Sequence, residues 1–360
     1  MPLKTNSGKS FQGSIVLGKG FILTPEDALA LIYKDARNKE VLFPYLNGDD
    51  LNNSPTQEPS RWVINFFDWS EEKARTYPDC FGIIERLVKP ERLIQKDKGG
   101  KEKWWQFLRP RKELYTTISE LDQVMVINNH TRHHVLAFYS ERIVYSHALT
   151  VIAIDSLSYY SIMTSQIMNE WAWHKGSTMG TSTLRYTSSQ IFETFPFPTN
   201  ITEIEKDLLE GLGKNYLALQ KNIMDSLNLG ITKTYNLFHN KDLSYLDLEK
   251  QLNEDKNICI GIYNDILKLR DLQIDIDEAV LNLFEWSEIE LNHGFYELEY
   301  LPENDRVRFS IHPTARKEIL KRLLLLNLEQ SKSDILDNNI VKKKLRVVSK
   351  TSTNSLFPED

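Results

Sequence analysis

VLFPYLNGDDLNNSPTQEPSRWVINFFDW, residues Val41 to Trp69, sets two apolar runs either side of a long turn-forming stretch. Val41 to Leu46 reads as a short buried strand and Arg61 to Phe67 as a second. Between them Asn47-Gly48 supplies residues that tolerate positive φ and opens a turn. Pro55 and Pro59 keep the polar stretch from becoming helix. The pair reads as a hairpin with an aromatic core, a rigid base for loops that carry function, within an α+β fold. Asp49-Asp50 belongs to the turn rather than to a catalytic carboxylate pair.

Upstream, Ser10 to Gly20 is broken by Gly13, Gly18 and Gly20. Backbone amides of a glycine-rich turn can cradle phosphate. Here the spacing lacks both a following Lys-Ser/Thr and a GxGxxG register, so a tight strand connection is the better reading. Thr24-Pro25-Glu26-Asp27 then starts a helix, with Thr24 as N-cap and Pro25 at the first helical position. Downstream of the hairpin, Ser70 caps another helix and Ile83 to Leu93 continues as helix. From Glu85 to Glu113 the chain carries ten Lys/Arg against five Asp/Glu, with Trp104, Trp105 and Phe107 interleaved. Lys96, Lys98, Lys101, Lys103 and Arg109 make this a candidate phosphate-tracking surface, since such side chains neutralise backbone charge. A solvated loop and helix face is the equal alternative.

Leu121 to Ile127 and Val135 to Tyr139 are predicted strands. The loop between them, Asn128-Asn129-His130-Thr131-Arg132-His133-His134, offers seven consecutive side chains that donate or accept hydrogen bonds. Asn and Arg are the types that read adenine and guanine edges bidentately in a major groove. On composition alone a plain polar hairpin loop is the stronger reading. A metal site is the weakest, because His133 and His134 are adjacent and diverge in an extended chain. Arg142 to Ile154 predicts one or two strands, and Tyr159 to Trp173 a helix. HKGSTMGTST, His174 to Thr183, is a glycine- and hydroxyl-rich loop flanked by Lys175 and Arg185, suited to phosphate contact. Phe195-Pro196-Phe197-Pro198 marks an extended closing segment. Beyond it long amphipathic helices take over. Ile204 to Leu229 and Leu243 to Leu269 form a predicted antiparallel pair, followed by helix over Asp271 to Trp286. A hairpin over Phe295 to Ile311 and a helix over Pro313 to Leu328 follow, with a polar tail after Ser331.

At 360 residues the chain can hold two cored domains, and with 44 basic against 50 acidic residues any nucleic-acid contact must be local. Cys80 and Cys259 give neither a disulfide framework nor a metal spacing. The cytosol is the expected compartment, since the N-terminus lacks a signal-peptide core and no apolar run approaches bilayer length.

Several long motifs in order carry a resemblance: SFQGSIVLGKGF (Ser10 to Phe21), EVLFPYLNGDDL (Glu40 to Leu51), PSRWVINFFDW (Pro59 to Trp69) and VKPER (Val88 to Arg92). LRYTSSQIFETFPFP (Leu184 to Pro198), RDLQIDIDEAVLNLFEW (Arg270 to Trp286), HGFYE (His293 to Glu297) and EILKRLLLLN (Glu318 to Asn327) complete it. Over most of its length the chain resembles the C-terminal half of MmeI-type restriction-modification enzymes and related adenine-specific DNA methyltransferases. The resemblance implies a target recognition domain at residues 1–199, a helical spacer at 200–270, a helix-hairpin-helix region at 271–330 and a disordered tail at 331–360. It implies base reading by Asn128, Asn129, His130, Arg132 and His133, and backbone contacts from Lys175, Ser177, Thr178, Arg185 and Tyr186. Trp62, Phe66, Phe67, Phe192 and Phe195 become scaffold. In the family methyl transfer needs a S-adenosylmethionine loop and an Asn/Asp-Pro-Pro-aromatic motif that holds a flipped adenine. Pro78-Asp79 and Phe195-Pro196 do not reproduce that motif, and no nuclease carboxylate set stands in context. The expectation is a separated specificity part, a split-gene subunit or a truncated remnant, without catalytic residues, cofactor or metal of its own. S-adenosylmethionine and Mg are expected only on catalytic domains elsewhere. Expected partners are double-stranded DNA and a separate methyltransferase or nuclease polypeptide, with no membrane. The rival expectation is a protein-interaction module that docks on a methyltransferase through its helical half.

Overall fold

The computed structural model describes residues 1–351 apart from 141, 181, 253 and 254, and side chains as far as residue 335. The fold is α+β, as the sequence predicts. Its strands are β1 (Ser10–Gln12), β2 (Ile22–Leu23), β3 (Leu42–Leu46), β4 (Arg61–Ile64), β5 (Gln123–Asn128), β6 (His130–Thr131), β7 (Ala137–Ser140), β8 (Val144–Tyr145), β9 (Leu149–Ile152), β10 (Ser177–Met179), β11 (Thr183–Arg185), β12 (Gly294–Glu297) and β13 (Val307–Ser310). Its first nine helices are α1 (Pro25–Lys34), α2 (Gly48–Asn53), α3 (Glu71–Arg75), α4 (Pro78–Leu87), α5 (Lys89–Leu93), α6 (Lys98–Glu102), α7 (Lys112–Ile118), α8 (Leu157–Thr164) and α9 (Gln166–Lys175). The helical part follows with α10 (Glu203–Leu227), α11 (Ile231–Phe238), α12 (Tyr245–Leu252), α13 (Lys256–Leu283) and α14 (Pro313–Thr351).

The hairpin of the opening stretch is present. β3 and β4 pair antiparallel, Leu42 opposite Ile64 and Tyr45 opposite Arg61, at the centre of the sheet β2-β4-β3-β8. Two local details differ from the sequence reading. Asn47 does not open a loop but caps α2: its Oδ1 accepts the amides of Asp49 and Asp50, while the Asp50 carboxylate accepts the Asn47 amide. A capping box outweighs the poor helix propensity of the residues behind it. The second strand ends at Ile64 because the Asn65 side-chain oxygen Oδ1 accepts the Phe67 amide at 2.9 Å and turns the chain, leaving Phe67 at φ +50°. This sheet packs on α1 and α4 to enclose a small core of Phe21, Val63, Phe66, Phe81, Trp104 and Phe107. Thr24 caps α1 as predicted, its hydroxyl accepting the Asp27 amide.

A larger core runs from Leu46 to Leu323. It joins the sheet β1-β9-β5-β7 to α8 and α9, and through them to the long helices. The early glycines serve this packing. A Cβ on Gly13 would lie 2.2 Å from the Ser146 carbonyl oxygen, so the connection after β1 is a close backbone crossing. The predicted antiparallel helix pair is α10 with α13, where Asn222 bonds Asp265. α13 is one continuous helix across Arg270, where the sequence reading divides two, and α12 is separate. Arg270 bridges that point: its side chain is buried and donates to the carbonyls of Leu237, Phe238 and Asn240. Gly213 lets α10 approach α8, since a Cβ there would meet the Ser161 hydroxyl at 2.7 Å. α14 continues past Leu328, the predicted end, through a buried Ser331. Residues 352–360 of the predicted tail lie outside the described residues. Phe66, Phe192 and Phe195 are fully buried scaffold, with Trp62 and Phe67 half-buried. Among the described residues no helix is long and apolar enough to cross a membrane.

Candidate functional site

The two polar stretches singled out in the sequence meet in one small sheet, β10-β11-β6. Ser177 pairs with Arg185, and Arg185 with His130. Directly opposed residues in an antiparallel ladder project from the same face. Ser177, Arg185 and His130 therefore form a row across the sheet, and all three are exposed. The alternate row is Thr178, Leu184 and Thr131; Leu184 and Thr131 are buried on the large core while Thr178 at the edge is exposed. Met179, at the end of β10, is 59% exposed, and Lys175, at the end of α9, sits with its ammonium 4.8 Å from the Trp171 ring centre. Partial burial lowers the Lys175 pKa.

The rest of the Asn128 to His134 segment is knitted into the body. Asn128 donates to the Gly48 carbonyl at 2.9 Å and accepts the His130 amide at 3.0 Å. Asn129 donates to the His147 carbonyl at 2.9 Å and accepts the Thr150 hydroxyl at 2.6 Å. Both are buried, so in this conformation neither offers an edge to a ligand. The buried His133 bonds Asn236 at 2.9 Å and stacks on His239 with ring centres 5.2 Å apart. Burial, reinforced by the Arg308 cation, pushes the His133 pKa down to about 3. Burial alone takes the His134 pKa down to about 4. Tyr186 is fully buried against His134, its hydroxyl lacking a protein partner, and burial raises its pKa.

Arg132 stands between these extremes. Its side chain is 37% exposed and engages Asp305 side-on, Nε at 2.7 Å and Nη2 at 2.6 Å from the two carboxylate oxygens. Asp305 also accepts Arg308, so one largely buried carboxylate serves two guanidinium groups. Asp305 and Arg308 have no sequence signal beyond lying in and after the predicted turn of the last hairpin. Behind Arg132 a cavity of about 50 Å³ is lined by His133, His134, Thr164 and Arg308. The ring nitrogens of His134 and the Thr164 hydroxyl have no protein partner there. That volume suits on the order of three or four waters rather than a base or a cofactor. Among the described residues no group of three His, Cys, Asp or Glu is arranged to hold a metal.

The basic segment belongs to the small core and not to this sheet. Arg92 is fully buried and donates to the carbonyls of Val16, Leu17 and Gln106. Arg111 bonds Gln12 and the Gly13 carbonyl, and Lys112 pairs with Asp68 at 2.7 Å. Lys96, Lys98, Lys103 and Arg109 are exposed and Lys101 is half-buried, with Lys98 in a loose 3.8 Å pair with Glu102. Trp104 and Phe107 are core anchors, and the Trp105 indole donates to the Trp69 carbonyl.

No protein-family model matches this chain, and no curated protein matches its sequence. Among solved structures it is similar to the Type IIL restriction-modification enzyme MmeI in complex with DNA, with a TM-score of 0.59 and 14% sequence identity. The match covers 92% of this chain and 36% of the MmeI chain. The chain therefore has the fold of a part of that enzyme and spans about a third of its length.

Proposed function

We propose that this chain is the DNA-specificity part of an adenine-N6 methyltransferase or restriction-modification system, with double-stranded DNA as ligand. The observation that carries the reading is the exposed row Ser177-Arg185-His130, flanked by Lys175, Thr178 and the half-exposed Arg132. The row gathers donors suited to phosphates and base edges on one face of a chain whose net charge is −6. A chain of that charge needs local chemistry of this kind to meet DNA. The likeness to a DNA-bound enzyme supports the same ligand. In this reading Arg132 and His130 read bases, Lys175, Ser177, Thr178 and Arg185 hold the backbone, and Asn128, Asn129 and His133 hold the readers in place. Lys96, Lys98, Lys101, Lys103 and Arg109 supply a second backbone-contacting surface on the small core. S-adenosylmethionine and Mg are assigned to catalytic domains other than this chain, and no chemistry is routed through its residues.

Selection of bound duplexes from a random pool, followed by sequencing, tests the reading. An enriched motif with adenine at a fixed position supports it, and binding should weaken steeply with salt. Docking on a separate methyltransferase is the second reading, favoured by Ile204 and Leu208, 83% and 54% exposed on the first turns of α10. It leaves the random pool unenriched and makes partner binding insensitive to salt.

A further inference from the structure

Resting on the DNA reading, we infer that Asp305 is a positioning residue for specificity: it fixes the Arg132 guanidinium so that its end-on pair of N–H groups reads a guanine. A guanidinium has two usable edges. The side edge, Nε with Nη2, is taken by the two oxygens of Asp305 at 2.7 Å and 2.6 Å. The end edge, Nη1 with the outer hydrogen of Nη2, is left unused by that carboxylate. Two parallel donors from one planar fork match the O6 and N7 acceptors of guanine in the major groove. An arginine free to swing reads such an edge poorly, because ordering its rotamers opposes binding.

The surroundings of Asp305 suit the role. Its side chain is only 10% exposed, and it is braced from behind by Arg308, which is 5% exposed and anchored to the Asp305 carbonyl through Nε. Asp305 closes a short helical turn between β12 and β13. The reader and its brace lie 173 residues apart in sequence. The carboxylate takes Nε and the inner hydrogen of Nη2, so it orients Arg132 without using Nη1 or the outer hydrogen of Nη2. Of the five base-reading candidates, Arg132 is the one with this arrangement: Asn128, Asn129 and His133 spend their polar atoms internally, and His130 stands free on the sheet.

The test compares Asp305→Asn, Asp305→Glu, Arg132→Ala and the double variant with the unmodified chain, by the same duplex selection and by titration of the selected site against single-base changes. Melting curves first establish which variants fold. Asp305→Asn should cut the preference for guanine at one position roughly ten-fold, leaving other positions as they were. Arg132→Ala should flatten the same position, the double variant should match it, and Asp305→Glu should keep part of the preference. A merely structural Asp305 would lower stability and leave the base profile intact, which overturns the inference. So does a uniform rise in affinity for all sequences, which would make Asp305 a mask over Arg132. Should Asp305→Asn fail to fold, Asp305→Glu and Arg132→Lys decide. Arg132→Lys keeps the charge but loses the fork, so an unchanged profile there overturns the inference. An unmodified chain that enriches no motif overturns the DNA reading itself and this inference with it.

Discussion

Asn128 to His134 and Lys175 to Arg185 are both mainly polar in sequence, yet they share one small sheet and meet opposite fates. In the first, Asn128, Asn129, His133 and His134 are buried and most of their polar atoms serve backbone or side-chain partners. In the second, Ser177, Thr178, Met179 and Arg185 are exposed. Side-chain chemistry is therefore a poor guide to exposure. What decides is which face of the ladder a residue takes and whether a carbonyl lies within its reach. A run of hydrogen-bonding side chains is as useful for sewing a loop to its support as for reading another molecule.

Acid should break the contrast most strongly. Because burial depresses the folded pKa values of His133 and His134 to about 3 and about 4, the unfolded chain binds their protons first as pH falls. Stability held above pH 6.5 is thus lost below it, by about 1.4 kcal/mol per pH unit per histidine until each folded pKa is reached. Glu170 works in the opposite sense, its buried carboxyl pushed up to about 7, so the clean measurement is the difference between variants. Denaturant unfolding from pH 7 to pH 4 should show a shallower slope in His134→Leu than in the unmodified chain; equal slopes would mean that burial of His134 is not a source of the acid sensitivity.

Next in size, Asn129→Ala orphans the Thr150 hydroxyl and leaves the His147 carbonyl with Gln12 as its remaining donor, and should cost about 2 kcal/mol in the same assay. A loss no larger than that of an exposed surface residue would mean Asn129 is not holding the loop. Arg132→Ala should remove about 1 to 3 kcal/mol of discrimination at a single base pair. Equal weakening on every sequence would move Arg132 to the backbone-contacting group. Smallest for the fold, Arg185→Ala should change stability by less than about 0.5 kcal/mol. It should lower the salt slope of DNA binding by about 0.9, the share of one phosphate contact. An unchanged slope would take Arg185 off the interface.

The sequence makes the α+β class, the β3–β4 hairpin, the Thr24 cap and the α10–α13 pairing readable, because each depends on local signals: alternation, a capping hydroxyl, a helical period. Asn47 illustrates the limit. Asn-Gly signals a turn and also an N-cap, and only Asp50 three residues on, reaching back to the Asn47 amide, tells the two apart. The candidate site is half legible. Both polar stretches could be found, but their union in one sheet depends on Leu184 meeting Thr131, a pairing of short strands that no local period encodes. Arg92 sits in a run of positive charge, and its burial among three carbonyls is fixed by the folds of chain around it. Asp305 was invisible because its partner lies in another stretch of sequence entirely.

The separation of free from braced residues has a consequence for inheritance. Ser177, Met179, Arg185 and His130 touch solvent, so a lineage can try new residues there one at a time, each trial nearly neutral for folding. Arg132 cannot change alone without leaving the Asp305 carboxylate short of a partner beside Arg308. Descendants of this chain should therefore change the first four positions singly, constrained by contact with the ligand rather than by folding, and alter 132 and 305 as a pair.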